Sequence, residues 1–254
     1  MISIMRRKQI LQRTLSVIFA IVLWQLAAGL LDQRLLLASP IEVASRLGNL
    51  TAEPGFWRTI GFSLSRIVLG FFSGLILGTA AAFLSYRFKW VEILLWPYVT
   101  LVKTVPVASF IVISLVWLKA ENLSIFISFL MVFPLVYFNI LQGMRAVDIK
   151  QLQMLRLFRV PFTRRLRYVY FPQLKPFIFS ACSAALGIAW KSGVAAEIIG
   201  IPTGSIGEQL YEAKAYLSTP DLFAWTIVIV VLSVAFEKLF LALLKMIFAK
   251  SEKQ

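Results

Sequence analysis

The 254-residue chain contains no histidine and a single cysteine, Cys182. Without histidine, the commonest general base and the commonest metal ligand are both missing. One cysteine, set in an apolar stretch, excludes a disulfide within the chain and leaves the redox compartment unread. Acid is scarce as well: 12 Asp and Glu stand against 26 Lys and Arg, for a net charge of +14. No G-x-x-x-x-G-K-[ST] segment occurs. The nearest approach, Lys191-Ser192, lacks the preceding glycine, so the chain does not cradle a triphosphate by that device. Hydrophobic residues, by contrast, make up 59% of the sequence, and the mean hydropathy is +0.82. A soluble domain of this length has no use for so much apolar sequence. The apolar residues also gather into runs of about 20, the length that crosses a hydrocarbon core of ~30 Å.

Six spans are predicted, at about 12–31, 60–85, 92–118, 123–142, 173–198 and 221–247. The first follows Arg6, Arg7 and Lys8 as a signal peptide would. It is longer than a usual signal core and no clean small-x-small site follows, so it is read as a retained span. With the N-terminus inside, most basic residues fall on the inner side: Arg6, Arg7, Lys8, Arg13, Arg87, Lys89, Lys245, Lys250, Lys253 and a dense group between 142 and 176. Only Arg34, Arg46, Arg58, Lys119 and Lys214 fall outside. That bias puts both termini and the long loop in the cytoplasm. It also explains the net charge without nucleic acid, because the charges lie between spans and not on one soluble face. Ser39-Pro40-Ile41-Glu42 in the first outer loop is a capping box with proline at the first helical position, predicting a short helix from Pro40 to about Leu50.

Several residues within the spans carry more than hydropathy. Gly70, Gly74 and Gly78 share one face of the second span, and small residues at that spacing let helix backbones approach closely. Static packing is their ordinary use, and a gate or sliding contact is the functional alternative. Pro97, Pro106 and Pro134 interrupt apolar runs, each freeing backbone carbonyls. Broken helices line transport sites, but packing kinks have the same sequence. Lys103 and Lys191 place charge at membrane depth, which insertion scales put at roughly 2.5–3.5 kcal/mol each. They either line a polar path, for an anion, or are satisfied locally, Lys191 by Glu197 six residues on and Lys103 by a helix break next to Pro106.

The stretch from 142 to 176 is the longest polar interruption after the first span. It holds Arg145, Lys150, Arg156, Arg159, Arg164, Arg165, Arg167 and Lys175 against one acid, Asp148. A short helix is predicted over Leu152–Phe158, stopped by Pro161, and a second over Arg164–Phe171, capped by Thr163 and running into Pro172. Met154, Leu155, Leu157 and Phe158 cannot all face one side, so some meet lipid or a partner. A headgroup-bound interfacial helix is the plain reading; a docking helix for a soluble protein is the functional one.

These residues resemble the permease subunit of a type I ABC importer, in the nitrate/sulfonate/taurine group. Members carry a cytoplasmic loop of the form E-A-A-x3-G-x9-I-x-L-P. Anchored on Pro172, Phe171 stands at the leucine, Val169 at the isoleucine, Arg159 at the glycine and Gln153-Met154-Leu155 at E-A-A; spacing is kept while identities are largely lost. The flanks are closer: Arg145-Ala146-Val147-Asp148, then Ala185-Leu186-Gly187-Ile188-Ala189-Trp190, Ala195-Ala196-Glu197-Ile198-Ile199-Gly200, Gly204-Ser205-Ile206-Gly207 and Asp221-Leu222-Phe223-Ala224. Upstream, Ser39-Pro40, Ser63-Leu64-Ser65-Arg66 and Gly70 agree with its first half.

The resemblance implies an all-α integral membrane protein of six transmembrane helices, with a cytoplasmic coupling helix between spans four and five. Residues 1–59 are an anchor span with its outer loop, and 60–250 a permease core that includes the loop 142–172. Gln153, Met154, Leu155, Arg156, Leu157, Phe158 and Arg159 are the expected ATPase-coupling helix. Lys103, Pro106, Lys191 and Glu197 are candidates for the path or gate, and Gly70, Gly74 and Gly78 for helix packing. Two ATPase subunits, a second permease copy or paralogue, an extracytoplasmic solute-binding protein and a bacterial cytoplasmic membrane are the expected partners and place. ATP and magnesium belong to the ATPase, with no cofactor on this chain. Two departures stand out. Gln153 cannot make the ion pair of the family's glutamate, and Arg159 is less suited than glycine to the left-handed backbone that ends the helix. The remaining alternatives are a scaffold or subunit of a different energy-coupled carrier, and a membrane-embedded enzyme. The missing histidine and the lack of an acid pair at membrane depth weigh against the enzyme.

Overall fold

A computed structural model describes residues 2–31 and 36–252. The order of elements is α1 (Ile2–Leu31), α2 (Pro40–Ala52), α3 (Phe56–Arg87), α4 (Lys89–Thr104), α5 (Val107–Ser114), α6 (Ala120–Arg145), α7 (Ile149–Leu157) and α8 (Phe162–Arg165). A π-helical turn (Leu166–Tyr170) follows, then α9 (Phe171–Gly200), α10 (Ile206–Ala215) and α11 (Thr219–Glu252). Helix is what a bilayer demands, since every backbone polar group there must be satisfied within its own segment. Five segments are long and apolar enough to cross alone: 14–31, 56–87, 120–145, 168–200 and 219–249.

The expected third span is not one helix. It is the pair α4 and α5, bent by 106° at Val105–Pro106. Pro97, Pro134 and Pro176 lie inside unbroken helices; only Pro106 breaks one. The contacts along α6 show that the pair is a broken span and not a loop that turns back. Glu92, in the first turn of α4, pairs with Arg145 at the C-terminal end of α6 (2.5 Å). Lys103 lies over the ring of Phe138, 3.3 Å from its centroid. Ile111 of α5 packs with Leu123 and Ile127, near the N-terminal end of α6. The pair thus runs antiparallel to α6 from one end to the other, and with it the described residues hold six candidate crossings.

The second short helix of the long loop also differs from expectation. Arg164 and Arg165 donate their backbone N–H groups to Pro161 O (3.1 Å each), and the chain passes through the π turn directly into α9. Pro172 therefore sits at the start of a long helix, where its missing N–H costs nothing.

The chain falls into two compact units. One comprises Met1–Thr59 and Gln209–Val230, the other Ile60–Glu208 and Val231–Gln254. In the first, α2 begins with the anticipated capping box: Glu42 N donates to Ser39 Oγ (3.3 Å) and Ser39 N to Glu42 Oε2 (3.0 Å). Trp24 Nε1 donates to Ala38 O (3.0 Å), and Arg46 pairs with both Glu53 and Asp221. Burial lowers the basicity of that guanidinium, but its bonds and attraction to the two carboxylates outweigh burial and raise it.

In the second unit, α3, α6 and α9 meet at small residues. A β-carbon on Gly70 would come 2.5 Å from Ile125 O, one on Gly74 2.7 Å from Val132, and one on Gly78 2.9 Å from Phe133 O. On α9, a β-carbon at Gly193 would meet both Ser128 Oγ (2.6 Å) and Ile67 (2.7 Å). Ser128 Oγ donates to Ala189 O (3.1 Å) across the same junction. Lipid is as apolar as leucine, so close packing and interhelical hydrogen bonds, not hydrophobicity, hold such helices together. Gly70→Ala is therefore expected to force α3 off the α6 backbone and cost about 1–3 kcal/mol. The check is a fall in the melting temperature of the detergent-purified protein, with Gly187→Ala, which faces open space, as the control.

Candidate functional site

The long loop presents one helix. Asp148 opens α7 by accepting the Lys150 N–H on Oδ1 (2.8 Å), an N-cap that also suits the positive end of the helix dipole. Along α7, Met154, Leu157 and Phe158 are exposed (53%, 81% and 71%). Their i, i+3, i+4 spacing makes one apolar ridge, the pattern of a helix that lies in a partner's groove. Leu155 is half-buried, so the four apolar residues do divide between two faces. Gln153 and Arg159 are exposed; the side chain of Arg156 lies outside the described residues. So do the side chains of Thr163 and Arg167, and so do Arg34 and Lys253 of the charge argument.

Arg159 ends α7 in the left-handed region, with φ of 50°. Val160 N donates back to Leu155 O (3.0 Å) and Phe158 N to Met154 O (3.1 Å). The first of these is the long bond of a Schellman cap, normally built on glycine. Arginine thus takes the conformation that the sequence made unfavourable, at a local cost of about 1 kcal/mol. Two contacts tie this end of the molecule to long helices. Gln173 Nε2, on α9, donates to Gln151 Oε1 on α7 (2.7 Å). The hydroxyls of Tyr86, on α3, and Tyr170, in the π turn, are 3.3 Å apart.

The four candidates for a path or gate do not lie together. Glu197 is fully buried. Its Oε2 accepts from Ser63 Oγ (2.7 Å) and from Gly207 N (3.3 Å), and Ser63 Oγ accepts from Ile206 N (2.9 Å). One carboxylate therefore fastens α3 and the first turn of α10 to α9. The contact is so close that a β-carbon on Gly207 would sit 2.3 Å from the Glu197 backbone. This knot joins positions 63, 197 and 206–207, three segments that stand out separately in the sequence but that nothing local pairs. Lys191 does not pair with Glu197. Six residues turn a helix by about 240°, and Lys191 is exposed on another face.

Lys103 and Pro106 are both exposed. Phe138, beneath the Lys103 ammonium, is seven residues from Arg145, about 10 Å along the axis from that end of α6. The cation–π contact contributes roughly 0.5–2 kcal/mol. That offsets only part of the roughly 2.5–3.5 kcal/mol for a membrane lysine. Lys103 borders a cavity of about 300 Å³ whose lining includes Met131, Phe138 and Asn139 of α6 and Ile188 of α9.

Residues 74–252 match the family described as "Binding-protein-dependent transport system inner membrane component". The chain belongs to this family. It is a permease subunit of an ABC importer and not an enzyme. It is 28% identical over 83% of its length to the putative aliphatic sulfonates transport permease protein SsuC of Bacillus subtilis, covering 77% of that protein. To the taurine transport system permease protein TauC of Escherichia coli it is 26% identical, over 88% of this chain and 83% of that one. Its fold is similar to the crystal structure of an amino acid ABC transporter with histidines. There the TM-score is 0.60 at 17% identity, over 80% of this chain and 97% of the other. The permease is thus a multi-pass membrane protein of a family that works with an ATPase and a binding protein.

Two expectations follow. Glu197→Ala strands the Ser63 hydroxyl and the Gly207 amide, and should cost about 2–4 kcal/mol; Glu197→Gln, which still accepts from Ser63, should cost less than half of that. Melting of the purified permease separates the two. Arg159→Gly should relieve the left-handed strain and raise protection of the α7 amides about fivefold in hydrogen–deuterium exchange, as about 1 kcal/mol requires.

Proposed function

We propose that the permease is driven by two ATPase subunits that receive α7, and that it carries a small oxyanionic solute inward from an external binding protein. The exposed ridge of Met154, Leu157 and Phe158 carries this reading. An isolated apolar ridge flanked by exposed Lys150, Arg159 and Arg164, at the end of the bundle where α4 and α6 join through Glu92 and Arg145, fits a soluble partner with a groove. Six crossings and the positive-inside bias support a cytoplasmic place for α7 and both termini, here in a bacterial cell.

In this mechanism ATP and magnesium act on the ATPase. Closure of the ATPase dimer moves α7. The Gln151–Gln173 bond and the π turn pass that movement to α9, whose outer end is fastened to α3 and α10 by Glu197. The bundle then alternates between two packings, one open outward and one inward, biased by nucleotide and by the loaded binding protein. A second permease copy or a paralogue completes the path. The oxyanionic class is supported by the excess of membrane-depth cation at Lys103 and Lys191 and by the sulfonate and taurine permeases that the chain resembles.

The test replaces the ridge. Leu157→Arg and Phe158→Arg should each lower retention of the co-expressed ATPase, and the ATP hydrolysis it supports in liposomes, by roughly tenfold or more, as expected for a central apolar anchor. Both positions are exposed, so melting should be unchanged. Equal ATPase retention and turnover in wild type and both variants would remove α7 as the coupling element.

A further inference from the structure

The cavity beside Lys103 combines an apolar wall with two polar side chains. It is walled by α4, α6 and α9, and Val102, Met131, Pro134, Leu135 and Ile188 give it a carbon lining. Two polar side chains break that lining, Lys103 and Asn139. The Lys103 ammonium rests on the Phe138 ring. Asn139 commits one amide hydrogen to Leu135 O (2.8 Å), which leaves its second hydrogen as a donor. No carboxylate is among the described lining residues. The site therefore offers one full positive charge, one neutral donor and an apolar wall, within the size range of small-molecule pockets. Ile188 also lies one turn before Lys191 on α9, so the second exposed lysine shares its helix face.

We propose that this cavity is a solute-binding site of the permease itself and that its ligand is a singly charged organic anion with a short apolar stem. The inference rests on the transport function above and narrows its solute. A bare inorganic anion would exchange a full hydration shell for one ammonium and one amide, a poor return. A zwitterion would bring an ammonium group to a site without a carboxylate, beside a lysine of the same charge. An alkyl anion meets neither penalty. Its head displaces the Phe138 ring from Lys103, and its stem is buried against Met131, Leu135 and Ile188, where apolar area leaves water.

The experiment uses the assembled permease–ATPase complex in nanodiscs without the binding protein, titrated calorimetrically with butane-1-sulfonate, taurine and nitrate. Saturable binding of butane-1-sulfonate is expected, with taurine and nitrate weaker by roughly tenfold or more. Lys103→Gln should weaken butane-1-sulfonate by about tenfold or more, while Lys103→Arg, which keeps the charge, should stay within about threefold. Met131→Trp, which fills the cavity and leaves Lys103 in place, should abolish binding and carries the test if Lys103→Gln fails to assemble. Absence of saturable binding to wild type, equal affinity for the three probes, or undiminished binding in Met131→Trp would overturn the proposal. ATPase retention is scored in the same preparation. Its loss in wild type strikes the coupling function, whereas retained ATPase without ligand binding strikes the cavity alone.

Discussion

The near-contact of three helix backbones is the constraint on which the rest of the permease depends. Apolar side chains do not drive helices together in lipid; van der Waals approach and a few interhelical hydrogen bonds do. The glycine face of α3 lies on α6, and Gly193 of α9 fits against Ser128 and Ile67, one from each of the other two helices. At this junction Ser128 also bonds the α9 backbone at Ala189. Larger residues here would move whole helices, because the atoms in the way are mostly backbone or short side chains.

With α3, α6 and α9 fixed, the remaining elements can be irregular. The pair α4 and α5 bends sharply yet traverses the length of α6, since Arg145, Phe138, Leu123 and Ile127 hold it at successive levels. The bend places Lys103 in the last turn of α4, two residues before the unwound Val105 and Pro106. Irregular backbone at membrane depth is tolerated where protein covers it or water reaches it. The two ends of the bundle are then specialised. Glu197 binds α9 to α3 and α10 near one end, and α7 hangs from α9 and the π turn near the other.

Backbone strain recurs at helix ends. Arg159 stands in a left-handed conformation where glycine would be at ease. Ile201 after α9 and Leu217 after α10 do the same, so this permease repeatedly ends helices on residues that resist it. At Arg159 the outcome is a cationic side chain beside the apolar ridge, which a glycine could not supply. Position 153 is a glutamine, in a loop where Asp148 is the one acid among many cations.

The sequence by itself determined the membrane class, the approximate spans, the capping box of α2, the packing face at Gly70, Gly74 and Gly78 and the place of α7. All of these follow from local period, composition or capping chemistry, which act over a few residues. Only the tertiary structure decided which proline breaks its helix. Pro97, Pro134 and Pro176 carry the same local penalty as Pro106, and whether a freed carbonyl is tolerated in a straight helix depends on neighbours distant in the chain. The same reason hid the partners of the charged residues. Lys103 finds Phe138, thirty-five positions away, and Glu197 finds Ser63, 134 positions away, in preference to the lysine on its own helix. It also hid how the α7 apolar residues divide, with Leu155 half-buried while Met154, Leu157 and Phe158 are exposed. Local rules specify elements; which side chains meet across them is fixed by how closely the backbones pack.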